Sequence, residues 1–279
     1  MEPYLEFVKQ IIRESDIILE ILDARMPEPS RNKVLEKLIR EAGKPKIIVI
    51  NKADLVSRRE LELALEKLMG EQEPRTAIVY VSNRQPKTIK NLIAKIRQVF
   101  NKYGKIQDSF AKPVIKKPYR EAKGDIIVGV VGYPNVGKSS IINALAFKKK
   151  AKVSSKAGTT HGVHWIRATK EIKLIDTPGV IPLEYTEETK LALIAARSPE
   201  KLKDPEVVCG KIIELFIKKN KLEKIEKLYD VKLEDEKDPY AIITKIAIQK
   251  KHLKKGGVPD EIRTAMMIIR DWQNGKLKL

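Results

Sequence analysis

The segment that most limits the possible folds of this chain is the glycine-rich loop from Gly132 to Ser139, which reads GYPNVGKS. It directly follows the short apolar run Ile126–Val131, and a stretch with helical spacing, Ser140–Phe147, comes after it. A strand, a GxxxxGKS loop and a helix in this order are typical of a phosphate-binding loop. Glycine lets the backbone wrap phosphate oxygens, and the helix N-terminus attracts negative charge. The loop therefore predicts an α/β domain that binds phosphate groups.

The residues of this loop have distinct expected roles. Lys138 would reach the β- and γ-phosphates of a triphosphate, and the Ser139 hydroxyl would ligate Mg²⁺. The backbone N–H groups of the loop and of the first helical turn would face the phosphates. The residues expected to bind phosphate are Asn135, Val136, Gly137, Lys138, Ser139 and Ser140.

A second phosphate-side motif, DTPG, runs from Asp176 to Gly179 at the end of an apolar run. Asp176 is placed to hold Mg²⁺ through a water molecule, and the N–H of Gly179 is placed to meet the γ-phosphate. The polar stretch Gly158-Thr159-Thr160 lies between the two motifs. One of its threonines would complete the Mg²⁺ coordination when a triphosphate is bound.

A third motif, NKAD at residues 51–54, follows an apolar run that ends at Ile50. The Asp54 carboxylate can accept hydrogen bonds from the N1–H and the exocyclic amine of guanine, whereas adenine lacks both donors. Lys52 would pack its stem along the base. A backbone N–H from residues 81–83, at the end of the next strand-like run, can bond the guanine O6. The residues expected to bind guanine are Asn51, Lys52, Asp54, Ser82 and Asn83.

Apolar residues around these motifs indicate alternating strands and helices. Short β-branched runs between polar boundaries are typical of buried parallel strands. Four such runs are Ile17–Leu22, Lys46–Ile50, Ala77–Val81 and Ile126–Val131. Helical spacing recurs between the first three runs and again after the third, at residues 34–39, 61–68 and 89–96. Residues 164–168 and 171–175 predict an antiparallel pair at one sheet edge, and the lysine-rich stretch 101–124 predicts a long connection.

The last third of the chain lacks strand-like runs. Apolar stripes at residues 208, 212, 215 and 216 and at residues 262, 265, 266 and 269 have helical spacing, and Pro259-Asp260 is a helix start signal. We therefore expect an α/β domain at residues 1–182 and a small all-α domain at residues 183–279. The single cysteine, Cys209, excludes a disulfide framework or a zinc ribbon and is expected to be a small buried hydrophobe.

Charge points to a polyanionic partner. The net charge is +19, and residues 102–123 and 148–173 supply +5 and +7 of it. Aromatic residues make up only 5% of the chain, which favours recognition of folded RNA by phosphate and shape over base stacking. The alternative is a solvated lysine-rich surface. No apolar run approaches the roughly 20 residues of a membrane span, and the first residues lack a signal-peptide pattern, so a cytoplasmic protein is expected.

The motifs follow one another in a circularly permuted order. Ordinary GTPases run from the phosphate loop through the switch threonine and DxxG to NKxD and a SAK-like loop, whereas here NKAD and Ser82 come first. The chain resembles the circularly permuted GTPases of the YlqF/YawG group, which are ribosome-assembly GTPases. The segments that carry the resemblance are DARMP at 23–27, GYPNVGKSS at 132–140, AGTTHGVHW at 157–165, Gly256-Gly257, Arg263 and IIRDWQNGKL at 268–277.

This resemblance implies a fold, an activity and partners. The fold would be a circularly permuted Ras-like P-loop GTPase domain with a mostly parallel sheet, followed by an α-helical domain that binds RNA. The activity would be hydrolysis of GTP to GDP and phosphate, slow until stimulated, in assembly of the large ribosomal subunit by a monomer that binds ribosomal RNA. Mg²⁺ would be held by Ser139, Thr160 and Asp176, and the catalytic residues would be Lys138, Thr160 and Gly179.

Some positions depart from the pattern or extend it. Val180 stands where many GTPases carry a glutamine that orients the attacking water. Bacterial relatives have a catalytic histidine near the start, whereas the first histidine here is His161, which could substitute together with His164 or could instead contact RNA. Asn135 matches an asparagine that helps hold K⁺ in potassium-activated relatives. A K⁺ ion there would replace an arginine finger; the alternative is that Asn135 ties down the loop itself. Within DARMP, Arg25 is expected to pair with Asp23 rather than to act in catalysis.

Two other functions stay open. The protein could be a nucleotide-gated RNA-binding module in which hydrolysis only resets the bound state. It could also be a GTPase for tRNA modification or small-subunit assembly, although permuted small-subunit relatives commonly carry an OB-fold or a zinc module, which this cysteine count and helical pattern do not fit. An ATPase is contradicted by Asn51 and Asp54.

Overall fold

A computed structural model describes residues 2–71, 73–104, 125–146, 164–176, 193 and 197–279. The chain divides into two compact units. The first consists of Met1–Asp54 and Arg58–Pro182, and the second consists of Leu55–Ser57 and Leu183–Leu279. Each unit has its own buried apolar core.

The described part of the first unit is built on a six-stranded sheet with strand order β3-β2-β1-β4-β6-β5. The strands are β1 (Ile17–Asp23), β2 (Lys46–Asn51), β3 (Thr76–Tyr80), β4 (Ile126–Val131), β5 (His164–Arg167) and β6 (Ile172–Asp176). Neighbouring strands are parallel, except that β5 runs antiparallel to β6 at the edge. The predicted parallel strands, the antiparallel edge pair and the α/β fold class are confirmed.

Helices cover this sheet because its central strands are apolar on both faces. Every residue of β1, β2 and β4 is buried. Two helices, α1 (Glu2–Glu14) and α2 (Lys33–Glu41), share a core cluster with β1 and β4. The cluster consists of Val8, Ile12, Ile18, Leu35, Ile39 and Val131. Continuous apolar strands of this kind are what a parallel sheet covered on both faces requires.

The other helices described in the first unit are α3 (Arg58–Gly70), α4 (Pro86–Tyr103) and α5 (Lys138–Leu145). Two helix boundaries differ from the sequence expectation, and α1 is not among the expected helices, although Val8, Ile11 and Ile12 recur at helical spacing and are buried. α4 continues to Tyr103, into the segment interpreted as a connection, because buried Val99 extends its apolar stripe and Gly104, with φ +64°, ends it. α5 begins at Lys138 rather than at Ser140, directly after Gly137 in a left-handed conformation.

The described part of the second unit is helical apart from an isolated antiparallel bridge between Leu253 and Pro259. Its helices are α6 (Pro205–Lys218), α7 (Leu222–Tyr229), α8 (Pro239–Gln249) and α9 (Glu261–Gln273). In its core, the ring of Phe216 packs edge-on against Trp272, with centroids 6.1 Å apart and an interplanar angle of 80°. The indole N–H of Trp272 donates to the carbonyl of Leu193 at 2.8 Å, which satisfies its polar atom inside the core.

The phase of α9 differs from the sequence expectation. Ile262 and Met266 are predicted to face the core together with Ala265 and Ile269, but Ile262 is 45% exposed and Met266 is half-buried. The buried side is instead formed by Thr264, Ala265, Ile268, Ile269 and Trp272. The large side chain of Trp272 is fully buried on this side of the helix. Apolar spacing alone does not predict which side of α9 faces the core.

Two further sequence expectations concern the second unit and the whole chain. Cys209 is fully buried, and burial raises the pKa of its thiol, so it packs as a small apolar side chain. Among the residues that the structure describes, none of the helices combines the length and the apolar character needed to cross a bilayer.

Candidate nucleotide-binding site

The sequence motifs meet at one edge of the sheet. β2 ends at Asn51, β4 ends at Val131 just before the glycine-rich loop, and β6 ends at Asp176. Asp176 pairs in register with Val130 of β4. Because carboxyl ends of parallel strands lie at the same end of a sheet, these three strands end at the crevice where α/β proteins bind ligands; residues 177–179 of the DTPG motif lie outside the described residues.

Two positions in the glycine-rich loop have no room for a side chain. Gly132 and Gly137 have φ values of +143° and +104°. A Cβ at Gly132 would lie 2.7 Å from the backbone oxygen of Ile21, and a Cβ at Gly137 would collide with the amide nitrogen of Asn51. Asn135, between them, also has a left-handed φ of +59°. Both glycines are therefore needed for the loop to curl tightly against β1 and β2.

Lys138 places a positive charge against this loop. It is buried at the start of α5, and its Nζ donates to the carbonyls of Gly132 and Tyr133, both at 2.9 Å. Ser139 and Ser140 follow in the first helical turn and are half-buried. A left-handed glycine loop, an ammonium group and the N-terminus of α5 together form a cradle suited to phosphate oxygens.

Asn51 connects the NKAD segment to the glycine-rich loop. Its side chain is 2% exposed, and Nδ2 donates to the carbonyl of Val136 at 2.8 Å. This bond joins two segments that are far apart in the chain. The NKAD motif predicts contact of Asn51 with guanine, and the observed hydrogen bond ties the NKAD segment to the glycine-rich loop.

Two neighbouring side chains orient the Asp54 carboxylate, which stays partly accessible to solvent. The hydroxyl of Ser82 donates to Asp54 Oδ1 at 2.8 Å, and Nε of the exposed Arg84 lies 3.3 Å from Oδ2. Ser82 is buried, and its backbone N–H donates to the hydroxyl of Thr88 at 3.0 Å. Ser82 therefore acts here through its side chain, which orients the carboxylate. Asn83 is exposed beside it.

Lys52 and Asp23 form an ion pair beside these motifs, in which Asp23 is buried and Lys52 is partly exposed. Lys52 Nζ lies 2.8 Å from Asp23 Oδ2, and Arg25 also pairs with this carboxylate, as expected for the DARMP segment. Burial opposes ionisation of Asp23, but the guanidinium of Arg25 and the ammonium of Lys52 hold its pKa well below the usual range. Burial lowers the pKa of Lys52, and Asp23 partly offsets this effect. Apolar spacing and motif matching do not reveal the contact between Lys52 and Asp23.

Several expected site residues lie outside the described residues. These are Thr159, Thr160, His161, Gly179 and Val180. For Asp176 and His164, the structure describes the backbone, which lies in β6 and β5. Over the described ranges, histidine, cysteine and acidic side chains form no group of three or more that could hold a metal ion. The Ser139 hydroxyl at the cradle is a hard oxygen donor of the type that suits Mg²⁺.

The fold and the site define a class of protein. A glycine-rich loop between β4 and α5 and an NKxD motif at the end of β2 make this a P-loop protein of the GTPase class. A family model described as a 50S ribosome-binding GTPase matches residues 127–245.

Related proteins also carry GTP-binding descriptions. An uncharacterized GTP-binding protein of Methanocaldococcus jannaschii is 40% identical over 277 residues, which are 99% of this chain and 66% of that protein. The nuclear GTP-binding protein NUG1 of Saccharomyces cerevisiae is 30% identical over 297 residues, covering 98% of this chain and 55% of that protein. The chain thus spans between about half and about two thirds of the length of these relatives.

Among solved structures, the GDP-bound structure of YlqF superimposes with a TM-score of 0.64 at 22% sequence identity. The match covers 98% of this chain and 96% of that chain, which shows a shared fold across both units. The chain has the fold of YlqF and the motif order of the circularly permuted GTPases of the YlqF/YawG group.

Proposed function

We propose that this protein binds GTP, hydrolyses it to GDP and phosphate, and acts as a nucleotide-dependent switch in assembly of the large ribosomal subunit. The bond from Asn51 to Val136 carries the proposal, because it joins the guanine-side segment to the phosphate loop across the sheet edge. Two segments tied in this way can bind the two ends of one nucleotide.

Each end of GTP has a matching group. Asp54, oriented by Ser82, would accept hydrogen bonds from guanine, and the N–H of Asn83 would bond the guanine O6. Lys138 and the backbone N–H groups of the loop bind the β- and γ-phosphates. Ser139, Thr160 and Asp176 would hold Mg²⁺, which neutralises charge on the phosphates. A K⁺ ion at Asn135 would add positive charge in the transition state.

Hydrolysis is proposed to be slow in the isolated protein. Val180 has no polar atom that orients a water molecule, so another group must complete the catalytic site. We propose that binding to a ribosomal particle supplies or orders this group, with Thr160 and Gly179 contacting the γ-phosphate side. His161 is the candidate from this chain.

The second unit offers a basic surface for ribosomal RNA. Residues 254–257 form a turn in which the N–H of Gly257 donates to the carbonyl of Lys254 at 3.1 Å. The lysines of this region are exposed, and they are Lys250, Lys251, Lys254 and Lys255. His252 Nδ1 lies 3.0 Å from the Thr264 hydroxyl, which anchors the segment to α9. A fixed turn rich in lysine suits contact with phosphates of folded RNA. Of the two other basic stretches, 102–123 and 148–173, only residues 102–104 and 164–173 are among those that the structure describes.

The description of the matching family model, a 50S ribosome-binding GTPase, supports the ribosomal role. Within this proposal the protein acts as a cytoplasmic monomer. A nucleotide-gated RNA-binding module is the second candidate, because the basic turn can bind RNA whether or not hydrolysis is stimulated.

The test is GTP hydrolysis measured with and without purified large ribosomal subunits, in KCl and in NaCl at equal ionic strength. Stimulation by large subunits, greater in KCl, is expected. Small subunits serve as the particle control, and Lys138→Ala, which should abolish triphosphate binding, controls for contaminating activity. Hydrolysis that large subunits leave unchanged while they still bind the GTP form would favour the RNA-binding module. Hydrolysis unaffected by salt type would remove the K⁺ site.

A further inference from the structure

The strand order places Asp23 at the centre of the candidate site. β1 lies between β2 and β4 in the sheet. Asp23, the last residue of β1, is therefore flanked by the NKAD segment on one side and the glycine-rich loop on the other. In a bound nucleotide the ribose lies between the base and the phosphates. A side chain that reaches from Lys52 to Asp23 thus runs along the position of the nucleoside.

The carboxylate of Asp23 is fixed on all sides. Arg25 donates from Nε to Oδ1 at 2.9 Å and from Nη2 to Oδ2 at 2.7 Å, and its backbone N–H adds a bond to Oδ1 at 3.0 Å. The backbone of Asp23 is opposite Asn51 in the ladder, and its N–H donates to the Ser30 hydroxyl at 3.1 Å. A bidentate pair of this type sets the orientation of the carboxylate as well as its charge.

Lys52 needs a partner of this kind to stay in place. Its backbone has a left-handed φ of +61°, and its side chain is 20% exposed. A long ammonium side chain at the edge of a crevice gains entropy and hydration by moving into water. The 2.8 Å contact with Asp23 Oδ2 opposes that movement and holds the ammonium group at the end of β1.

We propose that Asp23 is a positioning residue for guanine nucleotides, which holds Lys52 along the nucleoside while Arg25 locks the Asp23 carboxylate. This inference rests on the proposed function, because it assumes that GTP and GDP bind at this edge. Lys52 faces the nucleoside and not the γ-phosphate. The effect of Asp23 is therefore the same for GDP and GTP, and it acts on binding and not on the chemical step.

The experiment measures GDP and GTP affinity with fluorescent nucleotide analogues in Asp23→Asn, Lys52→Met and the double variant. Each single variant is expected to lose about ten-fold in affinity, by equal factors for GDP and GTP. The double variant is expected to lose no more than Lys52→Met alone, since Asp23 acts through Lys52. In steady-state hydrolysis, Asp23→Asn is expected to raise KM and leave kcat unchanged.

A matched control lies on the same strand. Glu20→Gln also replaces a buried carboxyl group of β1, one that pairs with Lys46 at 3.1 Å, and it is expected to leave nucleotide affinity unchanged. If Asp23→Asn does not fold, Arg25→Lys takes its place, because it keeps the charge but loses the bidentate geometry and is expected to weaken both nucleotides equally.

The outcomes separate the inference from the proposed function. Wild-type affinity in Asp23→Asn, or losses that add in the double variant, would overturn the positioning role. A fall in kcat with KM unchanged would also overturn it. A wild-type protein that does not bind guanine nucleotides would instead contradict the proposed function itself.

Discussion

At the scale of single residues, the Asp54 carboxylate is held in one orientation before any ligand binds. The Ser82 hydroxyl and the Arg84 guanidinium each take one oxygen, and the side chain keeps 19% of its surface exposed. A carboxylate held in one orientation loses little freedom when it binds a pair of donors on a base. In the proposed function, selectivity for guanine would depend on this one group and on the serine that orients it.

Asp54→Asn is expected to reduce the preference for GTP over ATP by about 100-fold or more, because the amide cannot accept both guanine hydrogen bonds. Competition binding with GTP and ATP measures the preference. Asp235→Asn is the control, since Asp235 is exposed in the second unit and should leave it unchanged. An unaltered preference in Asp54→Asn would remove the guanine assignment.

Glu20 predicts a dependence of stability on pH. Burial raises its pKa to about 7, Lys46 opposes the rise, and the nearby Glu36 adds to it. The ordinary value is 4.5, so between these two pH values the folded state binds more protons than the unfolded state. Stability contributed by this group is therefore lost as the pH rises from 4.5 through about 7.

The free energy of unfolding of the wild type is expected to fall by about 2 kcal/mol more than that of Glu20→Gln as the pH rises through this range. Denaturant titrations at several pH values measure the difference. Parallel pH profiles for the two proteins would show that Glu20 does not titrate in the folded state.

At the scale of elements, the glycine-rich loop and the end of β2 depend on each other. The amide of Asn51 fills the space that a Cβ at Gly137 would need, so any side chain there must break the bond to Val136 or displace the loop. The steric requirement of the phosphate loop therefore comes partly from a different strand.

Gly137→Ala is expected to weaken GTP binding by at least about ten-fold and to lower the free energy of unfolding by about 1–3 kcal/mol. Gly104→Ala is the matched control, because Gly104 has φ +64° but open space around its Cβ position. Gly104→Ala should lower the free energy of unfolding through backbone strain alone and leave GTP affinity unchanged. Equal GTP affinity in the two variants would contradict the contact with Asn51. Nucleotide titrations and thermal melts provide both measurements.

The sequence predicts the elements that are encoded locally. β1, β2 and β4 are continuous β-branched runs, and the phosphate loop is a contiguous motif, so both can be recognised without tertiary information. The pairing of Lys52 with Asp23 depends on the register of two strands, and the contact of Arg84 with Asp54 depends on two loops meeting. The phase of α9 depends on packing partners distant in the chain, such as Phe216 against Trp272. Spacing within one segment cannot encode any of these.

At the scale of the whole molecule, positive charge is concentrated rather than spread evenly. The lysine-rich turn of the second unit adds to the basic stretches 102–123 and 148–173, and its Gly256 and Gly257, with φ values of +86° and +78°, let it bend sharply. Its side chains point to solvent, so their charge contributes to long-range attraction of a polyanion rather than to the core.

Lys254→Glu with Lys255→Glu is expected to weaken binding to large ribosomal subunits and to leave GTP binding unchanged. The slope of log affinity against log salt concentration should fall by about 0.7–0.9 for each phosphate that the protein no longer neutralises. Lys227→Glu with Lys237→Glu makes the same change in net charge at exposed positions elsewhere in the second unit and serves as the control. An equal effect of both pairs would indicate general electrostatic attraction without a specific contact. Sedimentation with subunits at several salt concentrations measures both.

The pairing of β1 with β4 has a consequence for synthesis of the chain. Ile17 pairs with Val128, although β2, β3 and the helices α2 to α4 are translated between them. Until β4 leaves the ribosome, β1 keeps one unpaired edge, and such distant pairings form late in folding. A nascent chain that has already completed the NKAD segment still has no phosphate loop to which Asn51 can bond. Tight binding of a guanine nucleotide would therefore require that β4 and α5 have been translated and that β4 has joined the sheet.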